Sequence, residues 1–296
     1  MIKIANTARI VDTIRMRAVG IKLIILLEKF MIYARVLSLL VFFSATSVTA
    51  HEFWIEPQDY TINASEIVVA DLRNGQNFKG SSFAYIRDRY VKFDMFVGQS
   101  QQMIPAELGQ RPAISKQVDA DGLAILVVET ISNDLSYSEW AKFQKFIDHK
   151  DFKLDKTEHL ALGFPEKGFK ELYRRFAKSL VGVGNAKGAD REIGLEIELV
   201  ALSNPYTDDT SDGMPVKAIY QGKPLIDVQI ELFDKAPSGE VEVTLHRTNK
   251  LGVATLPIEP GHSYLVDTVQ LRQAEANNKK AAVWETLWAS LTYAKD

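Results

Sequence analysis

The sequence contains no cysteine. Disulfide bonds, thiolate catalysis, cysteine-bound zinc and iron–sulfur clusters are therefore excluded. The Gly-x-Ser-x-Gly, His-Glu-x-x-His and phosphate-loop motifs of hydrolase, metalloprotease and nucleotide sites are also missing. We assign no catalytic residue and expect a binding protein rather than an enzyme.

The first 50 residues have the pattern of a secretory signal peptide. Arg35 precedes an apolar run over residues 36–48, which is shorter than the roughly 20 residues that a membrane span needs. Val48-Thr49-Ala50 then provides a small-residue cleavage site. We expect cleavage after Ala50, so that the working chain begins at His51, lies in the periplasm and does not span the membrane.

Basic residues are the minority once this leader is removed. The whole chain has 35 basic and 38 acidic residues. The first 50 residues hold seven basic and two acidic ones, which leaves 28 against 36 and a formal charge of −8. Nucleic-acid binding needs lysine and arginine to neutralise phosphates, so an acidic chain argues against a nucleic-acid partner.

Most of the chain after residue 50 shows the patterns of β-strands. Residues 91–97 alternate between apolar and polar, and the nearly continuous apolar run of residues 123–128 indicates a central strand. A turn between residues 119 and 122 suggests that residues 114–130 form a hairpin. Beyond residue 193, short alternating strands recur at regular spacing, which is typical of an antiparallel sandwich.

A middle segment differs from this pattern. In residues 136–150, Trp140, Phe143 and Ile147 recur at the spacing of a helix. The same spacing in residues 169–183 favours a further helix, although a strand over residues 173–181 remains open.

These patterns predict a mainly β fold: two immunoglobulin-like β-sandwich domains joined by a partly helical segment, after an amino-terminal signal peptide. The predicted segments are a leader over residues 1–50 that starts at Met1 or at Met31, an amino-terminal β domain over 51–135, the connecting segment over 136–190, and a carboxy-terminal sandwich over 191–296.

His51 is the most informative candidate for a metal ligand. If the leader is cut after Ala50, the free α-amine and the imidazole Nδ1 of His51 can close a chelate ring on one ion. Both groups lose a proton near neutral pH when a metal competes for them. Nitrogen pairs of this kind suit Ni(II), Co(II), Cu(II) and Zn(II). The alternative is that His51 only begins a strand.

Further ligands are harder to choose from the sequence. His159 is the next candidate, followed by His149 and His262, and Glu285 lies between two tryptophans as a possible carboxylate ligand. Each also has an ordinary interpretation: an exposed loop or helix histidine, or a local salt bridge for Glu285.

The segments that follow resemble a known family over essentially the whole chain after residue 50. The resemblance rests on the opening HEFWIEP, on YRRFAK at residues 173–178, on Pro205-Tyr206, on GKPL at 222–225, on the turn at 248–252, and on WETLWASLTY at 284–293. Together they are similar to the DUF4198 family, which is associated with periplasmic components of cobalt and nickel uptake. The resemblance implies a β-sandwich architecture and the handling of transition metals.

Three functions follow from these observations as expectations. The first is a periplasmic binding protein for a divalent transition metal, Ni(II) or Co(II), that supports uptake through an inner-membrane transporter. The second is a metal-free surface or carbohydrate-binding module with immunoglobulin-like domains. The third is an oxidative copper enzyme, in which His51 and a second histidine hold the ion.

Overall fold

The computed structural model describes residues 51–295, and this part of the chain is mainly β, as the sequence predicts. Its strands are β1 (Glu52–Pro57), β2 (Thr61–Ile62), β3 (Ile67–Gln76), β4 (Lys79–Phe83), β5 (Tyr90–Val97), β6 (Ser100–Met103), β7 (Ile114–Gln117), β8 (Gly122–Thr130), β9 (Asn133–Tyr137), β10 (Phe169–Val183), β11 (Ile197–Ala201), β12 (Met214–Tyr220), β13 (Lys223–Pro224), β14 (Gln229–Lys235), β15 (Val241–Arg247), β16 (Val253–Leu256), β17 (Ser263–Gln273) and β18 (Trp284–Ala294). The helices are α1 (Trp140–His149), α2 (Lys156–Ala161) and a 3-10 turn (Arg87–Arg89).

A large sheet forms the centre of the described residues. Its strands follow the order β15-β14-β17-β18-β10-β8-β5-β6, and β2 and β9 also pair with β10. β10 pairs with β18 in parallel and with β8 in an antiparallel sense. Strands from both of the β domains proposed from the sequence, together with β9 and β10 between them, therefore share one hydrogen-bonded layer.

Two smaller sheets cover opposite faces of the large one. β1, β3, β4 and β7 form one of them, and β11, β12, β13 and β16 form the other. Along β10, Phe176 and Leu180 pack in the core beneath the second small sheet, whereas Ala177 and Val181 pack beneath the first. Because side chains alternate between the two faces of a strand, this assignment sandwiches β10 between two apolar cores.

The two α-helices lie beside the first small sheet. Phe143 and Ile147 of α1 are completely buried in one apolar cluster with Trp284 and Trp288 of β18. Asp155 caps α2, because its carboxylate accepts a hydrogen bond from the Glu158 amide at 2.8 Å. The helix expected over residues 136–150 is present over residues 140–149, and residues 136–137 belong to β9.

Two local expectations differ from the structure. The helix favoured over residues 169–183 does not form, and the strand left open over residues 173–181 lies within the longer strand β10, whose two faces pack in different cores. The expected hairpin over residues 114–130 does not form either, since β7 pairs with β3 while β8 pairs with β5 and β10 of the large sheet. The central strand predicted over residues 123–128 is confirmed. In the described residues, no helix is long and apolar enough to cross a membrane.

Candidate metal centre

Three acidic side chains meet in the interior where β1 crosses the large sheet. Glu52 is the first residue of β1 and is 3 % exposed. Glu231 on β14 and Asp267 on β17 are direct partners in the antiparallel register, so their side chains lie on the same face. A hydrogen bond from Oγ of Ser290 on β18 to the Phe53 carbonyl, at 2.8 Å, holds the beginning of β1 against this face.

Lys150 places its ammonium group among these carboxylates. It follows the last residue of α1, and its Nζ lies 2.8 Å from Oε2 of Glu231 and 2.9 Å from Oδ2 of Asp267. Oε1 of Glu52 is 3.7 Å away. Three carboxylates thus surround one ammonium group, and Arg175, which forms no ion pair within 4 Å in the described residues, also attracts Asp267.

His149 completes a set of potential metal ligands with two of these carboxylates. Its Nε2 lies 3.1 Å from Oε1 of Glu231, and the imidazole is about half exposed. Ligand atoms of Glu52, His149 and Glu231 all lie within 4.8 Å of one another. One imidazole and two carboxylates are ligands that first-row divalent metals accept.

Burial and mutual repulsion perturb the acids of this group. Burial and the nearby Asp267 charge raise the pKa of Glu52 to about 7, and burial raises that of Asp267 to about 6. Burial would also raise the pKa of Glu231, but the hydrogen bond from His149 and the charge of Lys150 lower it. The hydrogen bond to Glu231 raises the pKa of His149 above its ordinary value. The group therefore holds protons near neutral pH that a cation could displace.

Two carboxylate oxygens of this group have no hydrogen-bond partner in the described residues. They are Oε2 of Glu52 and Oδ1 of Asp267, both inaccessible to solvent. A buried carboxylate oxygen without a donor is costly, because it loses the hydration that the unfolded chain provides. An additional cation beside Glu52 would remove this cost at Oε2 of Glu52, so the residues of the ligand set fit a metal ion.

His51 is next to this group in the chain. It is exposed and immediately precedes Glu52, the first residue of β1. Of the histidines proposed from the sequence, His149 is the one whose ligand atoms lie within 4.8 Å of those of Glu52 and Glu231. His51 is next to Glu52 only in the chain, so its part in the site depends on the free α-amine that leader cleavage would create.

His159 lies elsewhere and already uses both ring nitrogens. It is fully buried, its Nδ1 accepts a hydrogen bond from Nε1 of Trp284 at 3.0 Å, and its Nε2 lies 2.9 Å from the Pro165 carbonyl. A carbonyl oxygen can only accept, so Nε2 carries the proton and donates. The imidazole has no lone pair left for a metal ion, so we remove His159 from the proposed ligands.

His262 and Glu285 also belong to other groups. Nδ1 of His262 lies 2.6 Å from Oδ1 of Asp234. Glu285 forms ion pairs with Arg272, at 2.7 Å, and with Arg174, at 3.4 Å. Glu285 therefore has the salt-bridge role that the sequence left open, and the structure brings neither residue together with His149.

The sequence patterns did not predict four residues of this group: Glu52, Glu231, Asp267 and Lys150. One signal was present: Asp267 interrupts the apolar stretch SYLVDTV of residues 263–269, where a charged side chain inside a strand must be paired or functional. Lys150, just after α1, contacts Glu231 and Asp267, which lie 81 and 117 positions away in the sequence. No local pattern indicates these contacts.

The fold and this site define a mainly β protein with a buried acidic group that could accept a cation. The family model of DUF4198, a domain of unknown function, matches residues 48–271, and the chain belongs to this family. No curated protein matches the sequence.

Proposed function

We propose that the chain is an exported binding protein for a divalent transition metal, Ni(II) or Co(II), and that it passes the ion to a membrane transporter. The observation that supports this proposal is the cluster of Glu52, His149 and Glu231, whose ligand atoms lie within 4.8 Å of one another. Leader cleavage after Ala50 would add the amine and imidazole of His51 directly before Glu52.

The ligand chemistry favours a borderline transition metal over calcium or magnesium. Two imidazoles and an amine would supply nitrogen, and hard cations prefer a full set of oxygen ligands. A half-exposed His149 leaves a path for the ion to enter and leave. Reversible access of this kind suits delivery to a partner better than permanent storage.

Lys150 supports a specific alternative, in which no metal binds. Its ammonium group already makes two close contacts with the acidic group and neutralises part of its charge. In that case the group is a structural ion-pair network, and the protein is a metal-free module. Copper chemistry at His51 is the remaining alternative, and it requires Cu(II) to be bound in preference to the other ions.

Metal titration of the exported protein tests the proposal. The protein is purified after export, its first residue is confirmed as His51 by intact mass, and Ni(II), Co(II), Cu(II) and Zn(II) are titrated by calorimetry. We expect one ion per chain. His149→Gln should weaken binding by more than about 100-fold, because even outer-shell changes cost 10- to 100-fold.

His246 provides a matched control for His149. It is also a partly exposed histidine, on β15, and its Nε2 lies 2.8 Å from Oγ1 of Thr244. His246→Gln should leave the affinity unchanged. Equal losses of affinity in the two variants, or no binding by the parent protein, would rule out the proposed metal site. The structural ion-pair network would then be the remaining explanation.

A further inference from the structure

A cavity lies between β1, β3, β5 and β10, and the residues that line it differ in chemistry from the acidic group. It has a volume of about 320 Å³. Four aromatic side chains contribute to its walls: Phe53, Phe83, Tyr90 and Tyr173. A cavity of this size with aromatic walls suits a small, flat organic molecule.

The charged residues that line this cavity are both arginines. Arg89, at the end of the 3-10 turn, and Arg175, on β10, contribute to the walls, and no aspartate or glutamate does. In the described residues, neither guanidinium group forms an ion pair with a carboxylate. Two such arginines in a chain with an acidic excess give this cavity a local charge opposite to that of the protein.

Arg175 has an unused hydrogen-bond donor at the cavity. Its Nη1 is inaccessible to solvent and has no hydrogen-bond partner in the described residues. The guanidinium group is held in place by stacking, at 4.2 Å from the Trp288 ring centre and 5.2 Å from that of Tyr173. A fixed guanidinium group with a free donor binds a carboxylate at little entropic cost.

Asn74 adds an unused acceptor to the same cavity. It lies on β3 opposite Phe53, and its Oδ1 is also buried without a partner. Both atoms are inaccessible to solvent, so a ligand in the cavity reaches them only after a shift of these two side chains. Such a ligand needs an acceptor for Arg175 and a hydroxyl or N–H group for Asn74. Buried unpaired donors and acceptors are rare in native proteins, so two in residues that line one cavity favour a polar ligand there.

We propose that this cavity binds a small aromatic carboxylate that also carries a hydrogen-bond donor. The carboxylate pairs with Arg175, Arg89 adds attraction at the exposed side, and the ring packs between the aromatic walls. This site goes beyond the proposed metal function. It shares no lining side chain with Glu52, His149 and Glu231, although Arg175 also attracts the buried Asp267 of the acidic group. The arms of the test that use Arg89, Arg87 and the neutral probe therefore report on this cavity separately from the metal.

Calorimetric titration of the metal-free protein tests the proposal with 4-hydroxybenzoate as the probe. The matched neutral probe is 4-hydroxybenzyl alcohol, and inorganic phosphate serves as an anion without a ring. We expect saturable binding of one 4-hydroxybenzoate per chain and binding of the alcohol and of phosphate at least about tenfold weaker, the loss expected for a charged hydrogen bond.

Arginine variants locate the site. Arg175→Gln should weaken 4-hydroxybenzoate binding by about tenfold or more. Arg89→Gln should weaken it by about threefold, because this arginine is exposed. Arg87→Gln is the matched control, since it changes an exposed arginine of the same 3-10 turn that does not line the cavity.

Several outcomes would overturn the proposal. They are the absence of 4-hydroxybenzoate binding, equal affinity for the alcohol, equal affinity for phosphate, and equal effects of Arg89→Gln and Arg87→Gln. If Arg175→Gln does not fold, as judged by circular dichroism, the comparison of the two exposed arginines still decides the question.

Discussion

The ammonium group of Lys150 lies 2.9 Å from Oδ2 of Asp267, and the two side chains are 3 % and 1 % exposed. This ion pair links the end of α1 to the interior of the large sheet across 117 residues of sequence. Lys150 also contacts Glu231 on the neighbouring strand. One lysine therefore balances a group of buried acids that would otherwise repel one another.

Removal of this lysine should destabilise the protein strongly. In Lys150→Met, the acids Glu231 and Asp267 lose their closest cation, and breaking a buried pair in this way costs about 3–5 kcal/mol. Urea denaturation of the metal-free protein measures the change. Lys153→Met is the control, because Lys153 is 80 % exposed, and it should change stability by less than about 0.5 kcal/mol.

The double variant Lys150→Met with Asp267→Asn separates the charge effect from the loss of packing. Removing one acid relieves part of the repulsion, so the double variant should be more stable than the sum of the two single changes predicts. Strict additivity would contradict the assigned ion pair.

The pH dependence of stability should reveal the proton on Glu52. Burial and the Asp267 charge raise its pKa from the ordinary 4.5 to about 7, while Glu231 also repels it and Lys150 attracts it. The folded protein then holds this proton more tightly than the unfolded chain does. The contribution of Glu52 to stability is therefore present below about pH 4.5 and is lost as the pH rises through about 7.

Glu52→Gln removes this titration. At pH 8 the variant should be more stable than the parent by on the order of 2 kcal/mol, and at pH 5 the difference should be small. Denaturation of the metal-free proteins at the two pH values measures it. Glu107→Gln, at an exposed acid, should show no such difference, and a gain for Glu52→Gln that is the same at both pH values would disprove the assignment.

His159 should matter for stability and not for metal binding. In His159→Phe, Nε1 of Trp284 and the carbonyl of Pro165 lose their partners, which costs about 2–4 kcal/mol for two buried groups. Thermal or urea unfolding measures the loss. The affinity for Ni(II) should stay unchanged, and a loss comparable to that of His149→Gln would return His159 to the ligand set.

The sequence predicts the β character because that character is local. The alternation of residues 91–97 predicted β5, the apolar run of residues 123–128 predicted the central strand β8, and helical spacing predicted α1. β10 was misjudged because its apolar residues recur at helical spacing, and because its second half is buried on both faces and so lacks the alternation of a half-buried strand. Its true neighbours, β8 and β18, lie far away in the sequence.

The candidate site was only partly predictable for the same reason. His51 and His149 could be chosen as single residues with suitable chemistry. The association of His149 with Glu52 and Glu231 depends on strand pairing and on the position of the end of α1, which bring together residues that are far apart in the sequence. His159 illustrates the opposite error, because its two hydrogen bonds and its burial are visible only in the folded chain.

The free amine of His51 provides the sharpest prediction about the metal. If one alanine is retained before His51, the amine becomes a peptide amide, while the imidazole, His149 and both acids are unchanged. The chelate formed by one residue is then lost, and Ni(II) affinity should fall by more than about 100-fold, beyond the effect of an outer-shell change. Calorimetry on the two proteins, each confirmed by intact mass, measures it.

An alanine inserted at an exposed terminus does not touch the buried acids, so the unfolding free energy of the metal-free protein should stay within about 0.5 kcal/mol of the parent. The retained stability distinguishes loss of a ligand from loss of the fold. His51→Ala should weaken binding at least as much, because it removes the imidazole from the same chelate. If the extended protein instead binds Ni(II) as tightly as the parent, the ion is held by His149 and the carboxylates alone, and the amine has no part in the site.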